Sequence, residues 1–264
     1  MSILKPFIWM FETENFGKRI MQLLRVLILL FILTYICYFT SGMVQCNNFQ
    51  KMLLCVAACV FYSFGWLIIQ GYFWELTAKV ISRDMDIAAN NIYSGKVKNI
   101  YTVHLPEFKP MTFLWRGIAS VVASIIMVLP YAMLVYSTMF TESFLMPWDN
   151  IQSYHNIYFV SYNLLYLAFF AFMPAMLWNY AKQNSVFAVW NIPKAVYLLE
   201  NYFFRYIGHT VLFVLFYILN CVVLYWVYQT FGNTAAYIVS TLLYLYSLHV
   251  YAYLLGTITP VAEG

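Results

Sequence analysis

Six long apolar runs constrain the fold of this chain more than any other feature. A bilayer hydrocarbon core of about 30 Å needs about 20 apolar residues in each crossing helix. The runs are Ile20–Phe39, Met52–Gln70, Ile118–Tyr136, Ile157–Leu177, Thr210–Tyr228 and Tyr237–Leu255. Arg25 is the one Lys, Arg, Asp or Glu inside them, and it lies near one end, where its long side chain reaches the headgroups. The runs predict an all-α polytopic membrane protein with six transmembrane helices.

The composition excludes a soluble globular domain. Of the 264 residues, 64% are hydrophobic and 9% are charged, whereas soluble domains carry about 25% charged residues. We therefore expect one integral membrane domain over residues 1–264. We expect it to contain three helical hairpin units, with the first over 1–70, the second over 71–177 and the third over 178–264.

The positions of the basic residues predict the orientation. With the N-terminus inside, thirteen of the fourteen Lys and Arg residues lie on inner segments or at the inner end of the first run, and Lys51 lies outside. Cytoplasmic segments carry the excess of Lys and Arg in multi-pass proteins. The pattern therefore predicts a multi-pass protein of the cell membrane with both termini in the cytoplasm.

The two long inner segments are predicted to contain helices. Glu75, Lys79 and Arg83 are spaced by four, so they form a charged stripe on a helix that continues from the second run and ends before Gly95. Asn191 is a suitable start for an amphipathic helix in the segment 178–209. The apolar face of that helix consists of Ile192, Val196, Leu199, Tyr202, Phe203 and Tyr206. Such a helix either lies flat at the headgroups or packs under the bundle.

An aromatic-x-x-Arg pattern precedes each of the three outward-going spans. Its instances are Phe16 to Arg19, Phe113 to Arg116, and Tyr202 to Arg205. The pattern favours three parallel repeats, each an interfacial helical segment followed by a hairpin, with the three arginines in equivalent places. Ordinary anchoring of cytoplasmic helix ends by aromatic and basic residues is the alternative explanation.

Several short motifs carry a resemblance to a known family. They are Pro6-Phe7, Phe11 through Lys18-Arg19, Gly71-Tyr72, Gly95-Lys96, Leu105-Pro106-Glu107-Phe108 and Phe113-Leu114-Trp115-Arg116-Gly117. On these motifs the chain resembles the prokaryotic membrane family known as domain-of-unknown-function family 4013. Its layout is also similar to that of membrane domains attached to glycerophosphodiester phosphodiesterases. The resemblance implies a helical membrane architecture and no established activity.

The inner surface gathers the basic residues among aromatic ones. This predicted aromatic-basic rim contains Arg19, Lys96, Lys98, Lys109, Trp115, Arg116, Tyr202 and Arg205. Aromatic rings settle at the interface while Lys and Arg meet anionic headgroups or a partner. We therefore expect a non-enzymatic membrane protein whose rim binds membrane lipids or a membrane or cytoplasmic partner protein. No nucleic-acid partner is expected, because basic residues in such chains report orientation.

A second hypothesis places the function inside the bilayer. The polar residues there include Asn163, Asn220, Tyr244 and His249. They favour either interhelical hydrogen bonds that hold the bundle together or a transport pathway for a small molecule or lipid. A continuous polar cavity reaching His249 and Asn220 would favour transport, whereas a dry interior would favour packing.

No motif of the sequence indicates catalysis. The chain lacks a Gly-x-Ser-x-Gly turn, a phosphate-binding Gly-rich loop and a His-Glu-x-x-His zinc motif. Asp84 and Asp86 are two residues apart and therefore lie on different helix faces. We predict no catalytic residue, no metal site and no cofactor.

Overall fold

The computed structural model describes residues 5–12, 16–43, 47–94, 105–145 and 171–259, and these contain helices and short connections but no strand. The helices are α1 (Lys5–Ile8), α2 (Phe16–Met43), α3 (Asn48–Ser94), α4 (Pro110–Leu145), α5 (171–183) and α6 (Ile192–Gly256), with 3₁₀ turns at Trp9–Glu12 and Val186–Trp190. The all-helical class predicted from the sequence is confirmed for these residues.

Five stretches of these helices are long and apolar enough to cross a membrane. They are Phe16–Gly42, Asn48–Ser82, Pro110–Met133, Ile192–Gly232 and Ile238–Gly256. Large apolar side chains cover their outer surfaces, as at Leu29, Phe49 and Leu215, which suits a hydrocarbon environment. The five stretches correspond to the first, second, third, fifth and sixth predicted runs. The fourth run, Ile157–Leu177, lies mostly outside the described residues, so the count of six stays a prediction.

The chain divides into two compact units. The first combines Met1–Ser120 with Ile207–Gly264, and the second is Val121–Tyr206. Most of the predicted site residues that the structure describes belong to the first unit. The predicted division into three hairpins over 1–70, 71–177 and 178–264 stays a prediction.

Helix α3 begins with a side-chain cap and is far longer than a membrane crossing. The amide of Asn47 donates to Oε1 of Gln50 at 3.2 Å, and the amide of Lys51 donates to the carbonyl of Asn47 at 3.1 Å, which satisfies groups left open at a helix start. The helix then runs for 47 residues, about 70 Å at 1.5 Å per residue. The predicted continuation from the second run is confirmed. The described part of this helix stops at Ser94, so its predicted end at Asn90–Gly95 stays a prediction.

Two glycines let α3 and α4 touch through their backbones. A Cβ atom placed on Gly71 would overlap the carbonyl group of Phe113, and one on Gly117 would overlap the carbonyl group of Leu67. The contacts run in opposite directions along the two helices, so the helices are antiparallel here. Small residues at such crossings permit close backbone approach, which membrane helices use for association.

Helix α6 is a single element, Ile192–Gly256, that folds back on itself. Asn220 and Ser247 are 27 residues apart, yet the Asn220 amide donates to the Ser247 hydroxyl at 2.9 Å. In a straight helix that separation would be about 40 Å. Gly232 has φ +80°, a conformation that only glycine adopts easily. The element is therefore a hairpin, with a first arm Ile192–Gly232 and a second arm Ile238–Gly256.

In the second unit, α6 starts where the sequence predicts. Oδ1 of Asn191 accepts the amide of Lys194 at 3.2 Å, and the Asn191 carbonyl accepts Nδ2 of Asn179 at 3.2 Å. Asn191 therefore caps α6 and ties it to α5. The hydroxyl of Tyr206 adds a second tie, because it donates to the carbonyl of Ala171.

The predicted apolar face of this segment is buried in part. Tyr206 is buried and Val196, Leu199 and Tyr202 are half-buried, as predicted. Ile192 and Phe203 of the same face are exposed, whereas Ala195 and Leu198, which were not assigned to it, are buried. The segment is not a separate interfacial helix, since it continues without a break into the membrane-spanning part of the first arm. Its buried face is consequently set by packing, with Tyr206 fixed against α5.

Candidate functional site

Three cations from different parts of the first unit gather around one carboxylate. Glu107 lies in the connection before α4, 3.4 Å from Nζ of Lys109 and 4.0 Å from Nη2 of Arg19 at the start of α2. Lys79 of α3 interacts electrostatically with Glu107, Arg19 and Lys109. We call these four residues the Glu107 cluster. Its formal net charge is +2, because three positive groups face one negative group.

The Glu107 cluster is accessible from its surroundings. Glu107 and Lys109 are exposed, and Arg19 and Lys79 are partly exposed. A contact of 4.0 Å between Arg19 and Glu107 is longer than a hydrogen bond, so the guanidinium group can turn towards a stronger acceptor. Guanidinium and ammonium groups bind phosphate oxygens through charge-assisted hydrogen bonds. The arrangement is therefore suited to a phosphate-bearing anion.

Arg116 differs from the other described residues of the predicted rim. Its guanidinium group pairs with the carboxylate of Glu75 on α3, and the two side chains are 11% and 24% exposed. The charged stripe predicted for α3 is thus divided between two neighbours: Glu75 contacts Arg116, while Lys79 faces Glu107. Arg116 consequently ties α4 to α3 next to the glycine crossing. Trp115 beside it is exposed, as a residue at a membrane interface would be.

The remaining rim residues are not brought together with the Glu107 cluster by the described structure. Lys96 and Lys98 lie outside the described residues. Tyr202 is half-buried and Arg205 is exposed, and both belong to the second unit. Arg19 follows the first residue of its helix by three positions, Arg116 by six and Arg205 by thirteen. The three arginines therefore differ in their distance from the helix start, and the repeat stays a prediction.

Both ring nitrogens of His249 are hydrogen-bonded, one of them to Tyr72. Nδ1 of His249 lies 2.7 Å from the carbonyl of Leu245, and Nε2 lies 3.0 Å from the Tyr72 hydroxyl. A carbonyl can only accept, so Nδ1 carries the proton; in the neutral ring Nε2 then accepts from Tyr72. With both nitrogens satisfied and 2% of the residue exposed, His249 joins the second arm of α6 to α3.

Asn220 and Tyr244 also take part in interhelical hydrogen bonds. Asn220 contacts Ser247 within the α6 hairpin, and Nε2 of Gln70 donates to the Tyr244 hydroxyl at 3.2 Å. Bonds of this kind stabilise membrane bundles by about 0.6 kcal/mol on average. Asn163, the fourth residue of the predicted intramembrane site, lies outside the described residues.

A cavity of about 700 Å³ lies between α2, α3 and both arms of α6. Most of the lining surface is apolar, but nine of the described lining residues carry a hydroxyl or amide group, with Asn220 and Tyr244 among them. His249 is not part of the lining. The predicted intramembrane residues therefore fall into two groups. Asn220 and Tyr244 line the cavity, whereas His249 is hydrogen-bonded to Tyr72 and does not line it.

A third group of charged residues lies in the second unit. The ammonium groups of Lys182 and Lys194 lie 5.1 Å and 5.3 Å from the ring centroid of Trp178, which is fully buried. Burial lowers the pKa of Lys182, and the positive charge of Lys194 lowers it further. Both ammonium groups lie within the range of a cation–π interaction with the indole ring.

Sequence reasoning missed Lys79, Glu107 and the Trp178 group as candidates for a site. The sequence places Lys79 in a charged stripe within one helix and Glu107 in the Leu-Pro-Glu-Phe motif, and neither pattern predicts that the two residues meet. One sequence signal could have indicated the Glu107 cluster. The segments that the topology brings to one interface carry more basic than acidic residues.

The five apolar helices and their exposed faces are compatible with a multi-pass integral membrane protein. Comparisons with family models, with curated proteins and with solved structures find no match. The resemblance to domain-of-unknown-function family 4013 therefore stays a prediction that rests on the short motifs.

Proposed function

We propose that this protein is a non-enzymatic integral membrane protein that binds anionic lipid headgroups through the Glu107 cluster at the cytoplasmic interface. The observation that carries the proposal is that Arg19 and Lys109 lie within 4.0 Å of the Glu107 carboxylate, while Lys79 interacts with it electrostatically. A structural role alone would be served by one cation, and the surplus positive charge attracts a second anion.

The surroundings of the cluster support a lipid as that anion. Arg19 lies near the end of an apolar helix, and Lys109 immediately precedes another. Each basic residue near an anionic membrane surface contributes about 1 kcal/mol of attraction. Exposed aromatic residues close by in sequence, Phe11 and Trp115, are typical of the headgroup level. The cluster thus has both the charge and the setting that a phospholipid headgroup requires.

The interior of the first unit favours this proposal over transport. A transport pathway through the predicted polar residues requires a polar cavity that reaches both Asn220 and His249. The cavity beside Asn220 is mostly apolar and does not include His249, whose two nitrogens are already engaged. The chemistry that selects an anion is therefore concentrated at the Glu107 cluster.

Native mass spectrometry of the purified full-length protein tests the proposal. The probes are phosphatidylglycerol and phosphatidylcholine of identical acyl chains, titrated into the detergent-solubilised protein. The test variant carries Arg19→Gln, Lys79→Gln and Lys109→Gln. The control carries Lys51→Gln, Lys182→Gln and Lys194→Gln, three cations outside both the cluster and the predicted rim, and loses the same charge.

We expect the cluster variant to bind phosphatidylglycerol about 100-fold more weakly, since three contacts of about 1 kcal/mol each are lost. Phosphatidylcholine binding and the control variant should change by less than threefold. Lys109→Gln alone, at an exposed residue outside the helices, should weaken binding about fivefold without affecting folding. Equal losses in the cluster and control variants would overturn the proposal.

A further inference from the structure

A cavity in the first unit has the dimensions of a ligand site. Ligand pockets have volumes of about 300–1,000 Å³, and this cavity measures about 700 Å³. Four helical segments of the same compact unit line it, and the rest of its boundary is open.

The lining determines which chemistry the cavity accepts. Its walls carry mainly leucine, isoleucine and aromatic side chains, including Leu27, Phe31, Ile69 and Phe213, and none of the lining residues that the structure describes is Lys, Arg, Asp, Glu or His. A buried water needs two to four polar partners, which most of this surface does not offer. A headgroup or another ion would lose its hydration without gaining a partner charge. The cavity is therefore suited to hydrocarbon.

The polar residues in the wall do not change this conclusion. Asn220 is 8% exposed, and its amide donates to Ser247. The Tyr244 hydroxyl accepts from Gln70. The Thr34 and Ser247 hydroxyls donate to the carbonyls of Leu30 and Leu243, and Ser240 and Thr241 also have interactions within the protein. An unsubstituted hydrocarbon can therefore lie against these groups without breaking a hydrogen bond.

The length of the cavity identifies the hydrocarbon. Its lining on α2 extends from Leu24 to Thr34, and ten residues of helix span about 15 Å. Half of a hydrocarbon core of about 30 Å is the same length. One leaflet of a bilayer has this depth, and a lipid acyl chain fills it.

We propose that this cavity is a binding site for the acyl chain of a membrane lipid, which lies between α2, α3 and the α6 hairpin. The site is independent of the Glu107 cluster, because it shares no residue with it and selects no charge. A lipid with a zwitterionic headgroup should therefore occupy it.

Gly65 provides a way to fill the cavity. It lines the site, and a Cβ atom at this position would meet only Leu30, at 3.8 Å from its Cδ1 atom and 3.9 Å from its Cβ atom. A larger side chain can extend from there into the space. Gly208 is the matched control, since it lies in α6 and a Cβ there meets nothing within 4 Å.

The experiment uses the full-length protein in nanodiscs of phosphatidylcholine that contain a small fraction of phosphatidylcholine with a diazirine-bearing acyl chain. After illumination, peptide mass spectrometry maps the adducts. In the wild-type protein, we expect adducts concentrated in the segments that line the cavity, including Leu24 to Thr34. Gly65→Phe should reduce these adducts at least tenfold, whereas Gly208→Phe should leave them unchanged.

Thermal unfolding of each variant shows whether it is folded. If Gly65→Phe unfolds, Cys221→Phe, at an exposed residue of the lining, is expected to give the same loss of adducts. Labelling that is unchanged in the filled variants, or adducts spread evenly over the exposed helix faces, would overturn the proposal. Cross-links between two copies of the chain through the cavity lining would overturn it too, because a second copy would then occupy the site.

Discussion

The hydroxyl of Tyr72 lies 3.0 Å from Nε2 of His249, so a buried hydrogen bond joins the second arm of α6 to α3. The direction of the bond follows from the other ring nitrogen, which donates to Leu245. Both ring nitrogens of His249 are therefore hydrogen-bonded within the protein.

Tyr72→Phe removes the donor and leaves Nε2 of His249 without this partner. We expect the free energy of unfolding to fall by about 0.6 kcal/mol, and by no more than about 1.7 kcal/mol, the range measured for hydrogen bonds between membrane helices. Tyr225→Phe, at an exposed residue of the first arm of α6, should change it by less than 0.3 kcal/mol on the same scale. Thermal unfolding in detergent measures both. A neutral effect of Tyr72→Phe would mean that the bond does not stabilise the bundle.

Gly71→Ala and Gly117→Ala each force the backbones of α3 and α4 apart. Overpacking of this kind costs about 1–3 kcal/mol, so both variants should unfold at lower temperature. Gly208→Ala should be neutral or stabilise by up to about 1 kcal/mol, because alanine is the better helix former and the position is open. Equal melting temperatures for all three variants would contradict the close crossing.

Glu75→Gln removes the carboxylate that pairs with Arg116. Both side chains are largely buried, and breaking such a pair costs about 3–5 kcal/mol. The charge swap Glu75→Arg with Arg116→Glu should recover part of the loss. Lys109→Gln at the exposed Glu107 pair should cost about 0–1 kcal/mol. A swap no better than Glu75→Gln alone would show that the ion pair is not the stabilising contact.

The lowered pKa of Lys182 makes stability depend on pH. Between that pKa and the ordinary value of 10.5, the folded state binds fewer protons than the unfolded state, so the free energy of unfolding rises with pH through this window. Lys194→Gln removes the second cause of the shift, and the pKa should move part of the way back. NMR titration of the lysine side chain measures this. A full return to 10.5 would contradict burial as the larger cause.

The proposed orientation places the α6 turn outside and the start of α6 inside. In a cysteine-free background, Asn233→Cys should react with a membrane-impermeant maleimide in intact cells, and Ser185→Cys should react only after lysis. The reverse pattern would place the Glu107 cluster on the outer face, and with it the proposed headgroup site.

Much of the helical architecture follows from the sequence, because the bilayer dictates helix length and local signals dictate the ends. Asn191 caps α6 as predicted, and α3 continues beyond the second run as predicted. Which apolar residues of the segment 192–206 are buried could not be predicted in the same way. Aromatic and aliphatic residues lie on both faces of a membrane helix, since lipid is as apolar as a protein core. Periodicity therefore does not tell which face is buried.

The candidate sites were harder to predict from the sequence than the helices, because they depend on how distant segments pack together. The sequence identifies Arg19 and Lys109 as basic interfacial residues. It does not show that they lie near Lys79 at Glu107, because that requires the connection before α4 to lie beside the start of α2. The cavity could not be predicted either. Its volume depends on how far four helices diverge, and side chains such as Leu27 or Phe213 would look the same in a filled core.

The crossing of α3 and α4 also constrains how this sequence can diverge. Because the facing carbonyl groups leave no room for a Cβ atom at Gly71 or Gly117, neither position tolerates substitution unless the helices separate. Divergence should therefore replace most apolar residues freely while both glycines persist together. The two glycines, together with the contacting rings of Tyr72 and Phe113, therefore form a signature for detecting distant relatives whose whole-chain similarity has been lost.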